Sequence, residues 1–378
     1  MEDRRDFLKK ALMASAGVAA APLAMTSRGA TSQQINEPNG AQHSTGLAKK
    51  TLKNWVWINP DPKKSEAEML STYKSYYEAG IYGVFFEQDV EAHFRAAKSQ
   101  GLETHRWMWT LNRGERELLS AHPEWYAISK SQKSCADQPP YVDYYRWLCP
   151  TKATTLEYLR DQVSQILAND YVDGIHLDYV RYCDVVLPLN LWKKYDLVQT
   201  TELADYDFCY CKDCKEAFHN WSGQRLEDIS YPEASLSWRQ FRYNQVTHIV
   251  NSLAELAHGV GKKITAAVFP TPEVARRNVR QDWTFWNMDG VCPMIYHGFY
   301  KEPTRWIGDA VKEGVHFLAS KMPLYAGLYL SDFKNSGDLK LGIRYALENG
   351  AAGISFFGHL DDGQLACLEE VSRQFLAK

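Results

Sequence analysis

Tyr171-Val-Asp-Gly-Ile-His-Leu-Asp-Tyr-Val-Arg-Tyr182 is a short apolar run that carries a histidine, two aspartates and an arginine. Alternation along it sets Ile175 and Leu177 on one face and His176, Asp178 and Val180 on the other, the period of a β-strand. Asp178 then lies near the C-terminal end of the strand, with Arg181 just beyond it. A carboxylate in that position is costly to bury unless it is paired or used. Arg181 is the expected partner, and the pair either shapes the loop or takes part in chemistry.

Outward from this strand, short apolar runs alternate with amphipathic stretches. The predicted strands are Asn54–Ile58, Gly83–Phe86, Glu103–Trp109, Gly174–Val180, Ile264–Phe269, Gly290–Tyr296, Leu324–Tyr329 and Gly353–Phe357. Between them the spacing predicts helices over Ser65–Glu78, Val90–Ser99, Thr154–Leu167, Trp238–His258, Thr304–Glu313, Leu339–Glu348 and Leu365–Leu376. Gly80, Gly101, Gly261 and Gly350 stand where helix C-caps are expected. Eight βα repeats of this kind predict an α/β fold of the (β/α)8 TIM-barrel type in a single domain. A doubly wound sheet is disfavoured, because no Gly-rich phosphate turn follows the first strand. Leu111–Pro150 and residues 182–237, after strands three and four, are too long to be simple connections. Both follow C-terminal strand ends, where barrel active sites are built, so they are expected to wall a cleft.

The chain ends and composition narrow the setting. Residues 1–30 read as a twin-arginine signal peptide: Arg4 and Arg5 precede Phe7 and Leu8 and a weakly apolar Ala-rich stretch. The twin-arginine (Tat) translocase is thus an expected partner, with a periplasmic or extracellular destination. Because that route carries folded proteins, any metal would be loaded beforehand. Residues 31–50 are polar and aperiodic, a linker, and 51–378 form the barrel domain. No further apolar stretch is long enough for an integral membrane segment. A net charge of −3 offers no field for nucleic acid or an anionic membrane. Twelve Trp and 22 Tyr favour carbohydrate, whose C–H faces stack on aromatic rings.

The run Asp173-Gly-Ile-His-Leu-Asp-Tyr-Val-Arg-Tyr182 resembles the strand-four motif of the glycosyl-hydrolase-like family 10 proteins, barrels related in pattern to the chitinase-like families. The resemblance extends to His122-Pro-Glu-Trp125, Gln281-Asp-Trp-Thr-Phe-Trp286 and Asp289-Gly-Val-Cys-Pro-Met-Ile-Tyr-His297. It implies a glycoside-hydrolase barrel over about residues 52–360 without fixing a substrate. Chitinase-like enzymes carry Asp-Gly-x-Asp-x-Asp-x-Glu; here His176 and Val180 replace the middle Asp and the final Glu, while Asp178 is retained. The chitinase-type acid is therefore missing, and a second carboxylate has to come from another strand end.

Glycoside hydrolysis needs two carboxyl groups flanking the bond. Asp178 is the first candidate. Glu87, in Phe85-Phe-Glu-Gln-Asp89 at the end of strand two, is the second, since neighbouring aromatics would raise its pKa. Glu273, Asp361 and Asp362 are further candidates, each equally readable as a surface carboxylate. His176, Arg181, Tyr296 and His297 are expected to contact substrate, with Trp57, Trp107 or Trp109, and Trp125 as stacking platforms or core. Asn59 and Asn112 are polar contacts or turn residues. Cys209, Cys211 and Cys214, with Cys183 in the same long loop, fit structural zinc, a cluster, disulfides or free thiols. No cofactor or catalytic metal is assigned, because serine-elbow, zincin and P-loop motifs are absent. The expected function is an exported glycoside hydrolase using carboxylate acid–base chemistry. The alternative is a carbohydrate-binding barrel without catalysis.

Overall fold

A computed structural model of the chain describes residues 51–377; the expected signal peptide (1–30) and linker (31–50) lie outside the described residues. Eight strands form one sheet: β1 Asn54–Ile58, β2 Ile81–Phe86, β3 Glu103–Trp109, β4 Gly174–Asp178, β5 Lys263–Val268, β6 Gly290–Pro293, β7 Tyr325–Tyr329 and β8 Gly353–Phe357. They pair in parallel in the order β6-β5-β4-β3-β2-β1-β8-β7. Two isolated bridges, Val291 to Leu324 and Met294 to Gly327, join β6 to β7 and close the ring. The (β/α)8 expectation holds. Three strands end earlier than predicted, β5 by a single residue. Tyr179 takes a left-handed φ of 49° and stops β4, and Pro293, which has no N–H to donate, is the last residue of β6.

Helices follow the strands: α1 Glu66–Glu78, α2 Glu91–Ser99, α3 Arg116–Ala121, α4 Ala153–Leu167, α5 Leu189–Trp192, α6 Lys212–Ser222, α7 Leu236–Gly259, α8 Pro272–Val279, α9 Trp306–Leu318, α10 Ser336–Glu348 and α11 Asp362–Leu376. Local chemistry sets their ends. Ser65 and Glu68 form a reciprocal capping box at the start of α1. The four glycines expected at C-caps (Gly80, Gly101, Gly261 and Gly350) all have positive φ, a region that disfavours any side chain. The sequence reading missed α3, α5, α6 and α8: the first three lie within the long connections, and α8 follows β5.

The barrel interior is filled by rings and by one polar chain. Trp55 stacks on Phe85 at 4.6 Å, and Phe85 on His176 at 3.8 Å. Gly83 makes room, since a Cβ there would lie 2.4 Å from the Trp55 ring. The Trp57 indole N–H donates to Nε2 of His176 at 2.9 Å, leaving Nδ1–H to donate to Thr265 Oγ1 at 2.8 Å. The Thr265 hydroxyl has its one hydrogen for Nδ1 of His105 at 3.2 Å, and His105 Nε2–H donates to Glu103 at 2.8 Å. Glu103 also accepts from Lys263 at 2.5 Å and from the Tyr82 hydroxyl at 2.6 Å. Burial works against its charge, but His105, Lys263 and Tyr82 prevail and hold the carboxyl at about 2.

Asp-Gly pairs set the lower ends of β4 and β6. Asp173 accepts the Thr104 N–H of β3 at 3.0 Å, and Asp289 accepts the Ile264 N–H of β5 at 2.9 Å. The following glycines admit the rings of His105 and Tyr325, which a Cβ would meet at 2.7 and 2.6 Å. The Asp-Gly dipeptides of the strand-four and strand-six motifs are thus clamps at the barrel floor, away from the mouth. Thr265→Val keeps the shape of Thr265 but removes its hydroxyl from both histidines. It should cost about 2–4 kcal/mol, while Thr265→Ser costs under about 1 kcal/mol. Thermal unfolding of the two variants checks this, and equal midpoints would refute the chain's structural role.

Candidate active site

At its upper end β4 brings Asp178 to the barrel axis, where it is only 2 % exposed. Its Oδ2 accepts the Trp107 indole N–H at 3.1 Å and its Oδ1 the Tyr179 backbone N–H at 2.7 Å. At this point the chain turns out of the strand, with Tyr179 in a left-handed conformation at φ 49°. Such a conformation costs a non-glycine residue about 1 kcal/mol or more and occurs preferentially at functional sites.

Above the polar chain the aromatic residues converge on Phe357 of β8. Tyr296 stacks on it at 5.8 Å, and Tyr329, Trp57 and Trp107 surround it at 5.6, 6.3 and 6.4 Å. Trp57, Trp107, His176, Asp178 and Tyr296 therefore meet at one place. Phe357 and Tyr329 were not singled out from sequence, although each ends a strand with an inward-facing ring. Trp109 is half-buried and packs on Tyr179 at 4.8 Å and on Tyr144 at 6.1 Å.

The expected Asp178–Arg181 pair does not form. Arg181 binds Asp184 at 3.0 Å and lies over the rings of Trp147, Phe269 and Tyr179 at 4.8–5.3 Å. Its charge holds the wall together. His297 faces Asp332, with 3.9 Å between Nδ1 and Oδ2, and packs on Phe333. Burial pushes the His297 imidazole below its ordinary pKa, against the opposing charge of Asp338. Asp332, just after β7, was missed from sequence; an inventory of carboxylates within a few residues of each strand end would have found it. Burial raises its carboxyl to about 6, against the hydrogen bond donated by the Gly298 N–H at 3.0 Å.

Glu87 stands half-buried at the rim above β2, where its N–H donates to the Ile58 carbonyl at 2.9 Å. The other carboxylates have structural positions. Glu273 is exposed in the first turn of α8, its N–H bound to Glu313 of α9. Asp361 caps α11 in a capping box with Gln364, and Asp362 is exposed in its first turn. Asn112 accepts the Arg146 N–H at 2.8 Å, Asn59 accepts from Gln88, and Trp125 stacks on His122 and packs on Tyr158 of α4. Gln281 acts as a tie, accepting the Phe269 N–H and donating to the Val180 carbonyl.

The two long connections roof the mouth unevenly. Residues 174–188 and 264–272 are buried without interruption, whereas Asn59, Glu87, Gln88, Gly358 and His359 retain exposure. The better access therefore lies over β8, β1 and β2. The second connection is fixed by Asp207, which sits between Arg242 and Arg280, all three nearly fully buried. Three of its cysteines, Cys209, Cys211 and Cys214, do cluster. Their fourth neighbour is Cys149, from the first connection, in place of the expected Cys183.

No protein-family model matches the sequence, and no curated protein matches it. Solved structures do. The glycoside hydrolase domain of PgaB (BpsB) from Bordetella bronchiseptica aligns with a TM-score of 0.60 at 11% identity, over 86% of this chain and 98% of that one. The catalytic domain of β-amylase from Paenibacillus polymyxa aligns with 0.60 at 11% identity, over 87% and 99%. The fold is a TIM barrel, and these solved structures are glycoside hydrolases. A catalytic mutant of a GH42 β-galactosidase from G. stearothermophilus aligns with 0.59 at 11% identity, over 87% of this chain and 57% of that one. Among the described residues no helix is long and apolar enough to cross a membrane.

The raised carboxyl at the end of β7 has a direct check. Carboxyl-carbon NMR should show one aspartate titrating near pH 6, absent in Asp332→Asn. A spectrum with every carboxyl midpoint below about 4.5, the ordinary range, would refute it.

Proposed function

We propose that this chain is an exported glycoside hydrolase of the glycosyl-hydrolase-like family 10 type, acting on a polysaccharide or glycan without a cofactor. The observation that carries this reading is Asp178, held at the end of β4 by Trp107 and Tyr179 beside the aromatic cluster around Phe357. The aromatic faces suit sugar C–H surfaces, and the carboxylate suits a developing positive charge at the anomeric carbon. Asp178 serves as nucleophile or base. Asp332, protonated below about pH 6, is the proton donor to the leaving oxygen, and Glu87 at the rim is the other candidate donor. Trp57, Trp109, His176, Arg181, Tyr296 and His297 shape the substrate site, with the first long connection as its wall.

A wild-type screen against a broad glycan panel tests this, with Asp178→Asn alongside. Sugar release should fall at least about a hundredfold in the variant while binding persists. With Asp332 as donor, wild-type kcat/KM should decline as pH rises through about 6. A second reading, carbohydrate binding without turnover, draws on the near-complete burial of Asp178 and on Val180 in place of the chitinase-type Glu. Binding without sugar release in both proteins would select it.

The export route belongs to the same proposal. Replacing Arg4 and Arg5 by Lys should retain the full-length precursor in the cytoplasm, as read by fractionation. Unchanged export of that variant would exclude the twin-arginine route.

A further inference from the structure

Cys149, Cys209, Cys211 and Cys214 come from two connections far apart in sequence and meet with all four sulfurs within 4.8 Å of one another. Cys149 Sγ lies 3.4 Å from Cys214 Sγ and 3.7 Å from Cys211 Sγ. All four side chains are buried, none more than 4 % exposed. A Zn–S bond of about 2.3 Å gives a tetrahedral ligand edge of about 3.8 Å, so the spacing suits four thiolates around one ion. A multi-iron cluster needs wider separation, because its cysteines bind different metal atoms.

The surroundings match that chemistry. The Ile128 N–H points at Cys209 Sγ at 3.3 Å, and in the thiolate form Cys214 accepts from the Thr151 hydroxyl at 3.2 Å. Cys211 is the N-cap of α6, whose first-turn amides and positive dipole end favour a thiolate. Lys152 pairs with Asp213, whose carboxylate lies 3.8 Å from Cys211 Sγ, so a cation stands close to a site of net negative charge. Packed together without an ion, four buried sulfurs would contribute only weak thiol contacts.

We propose that Cys149, Cys209, Cys211 and Cys214 form a structural zinc site that fastens the two connections walling the barrel mouth. The site is closed, with four protein ligands and no open position for substrate. Its place is selective. Antiparallel bridges Ser129–Phe208 and Tyr126–Leu148 flank it, so the ion locks a contact that backbone pairing already sets in register. It adds to the glycosidase reading without depending on it, because metal content is independent of turnover.

Elemental analysis of the full-length protein, purified without added metal, should find one zinc per chain, released on titration with an organomercurial. Cobalt in its place should show the absorption of a tetrahedral thiolate site. Cys149→Ser should lose the zinc, whereas Cys183→Ser and Cys367→Ser should keep it. Circular dichroism separates loss of the ion from loss of the fold. If Cys149→Ser does not fold, the wild-type zinc and cobalt measurements decide alone. A wild-type protein with no stoichiometric metal and four titratable thiols, or with disulfides among these cysteines, would overturn the proposal. So would one iron per chain, or retention of zinc by folded Cys149→Ser.

Discussion

The hydrogen-bond chain from Trp57 through His176, Thr265 and His105 to Glu103 is the interaction on which the rest of the barrel depends. An indole only donates and a carboxylate only accepts, so the two ends fix the direction of every bond between them. Each imidazole has one satisfied donor and one satisfied acceptor, which makes a polar core tolerable inside a ring of apolar strands. The chain also links β1, β4, β5 and β3 at defined heights. A one-residue slip of any of these strands would turn its polar residue out of the interior and leave partners unsatisfied. Packing follows the same geometry, since Gly83 and Gly174 leave space for the rings that the chain and its neighbours require.

The mouth inherits this order. The indole that starts the chain also lies beside Phe357, so the polar interior and the aromatic cluster are held by one residue, Trp57. Trp107 joins the same cluster while bonding Asp178. The carboxylate is thus oriented by a side chain whose own rotamer is fixed by packing, an arrangement that limits reorganisation during a reaction. Around it, Arg181 with Asp184, and Asp207 with Arg242 and Arg280, place charged pairs inside the wall. Arg242 comes from α7 and Arg280 from just beyond α8, so the Asp207 pairs tie the second connection to the elements behind it.

Most of the barrel was legible because strand and helix periods differ so clearly, and because glycine marks the helix ends. The errors were local. Residues 179 and 180 read as a continuation of β4 because Val180 is apolar, and periodicity carries no sign of the backbone turn at Tyr179. Asp361 was taken as a candidate acid because a helix cap and a catalytic carboxylate look alike after a strand. Gln364, three residues on, was the available signal for a cap. Arg181 was matched to the nearest acidic group on its strand, but the chain turns away and Asp184 is closer in space. Cys149 could not be grouped with the other thiols from spacing, since only tertiary structure brings the two connections together. Asp332 was overlooked because burial, and with it the raised carboxyl, is a property of the folded surroundings.

The seam between β6 and β7 is where the backbone pairing of the barrel is thinnest. Seven neighbouring strand pairs share ladders of three to five registered residue pairs, whereas this pair meets at two isolated bridges. Gly327 permits the approach, for a Cβ there would fall 2.4 Å from the Pro293 carbonyl oxygen. Tyr296 and His297 stand above one lip of that seam, Tyr329 and Asp332 above the other. Where the backbone ladder is sparse, the two lips are joined by what stands on them: the Gly298 N–H on Asp332 and the Tyr296 ring against Tyr329, so the seam is laced from above by the candidate site itself.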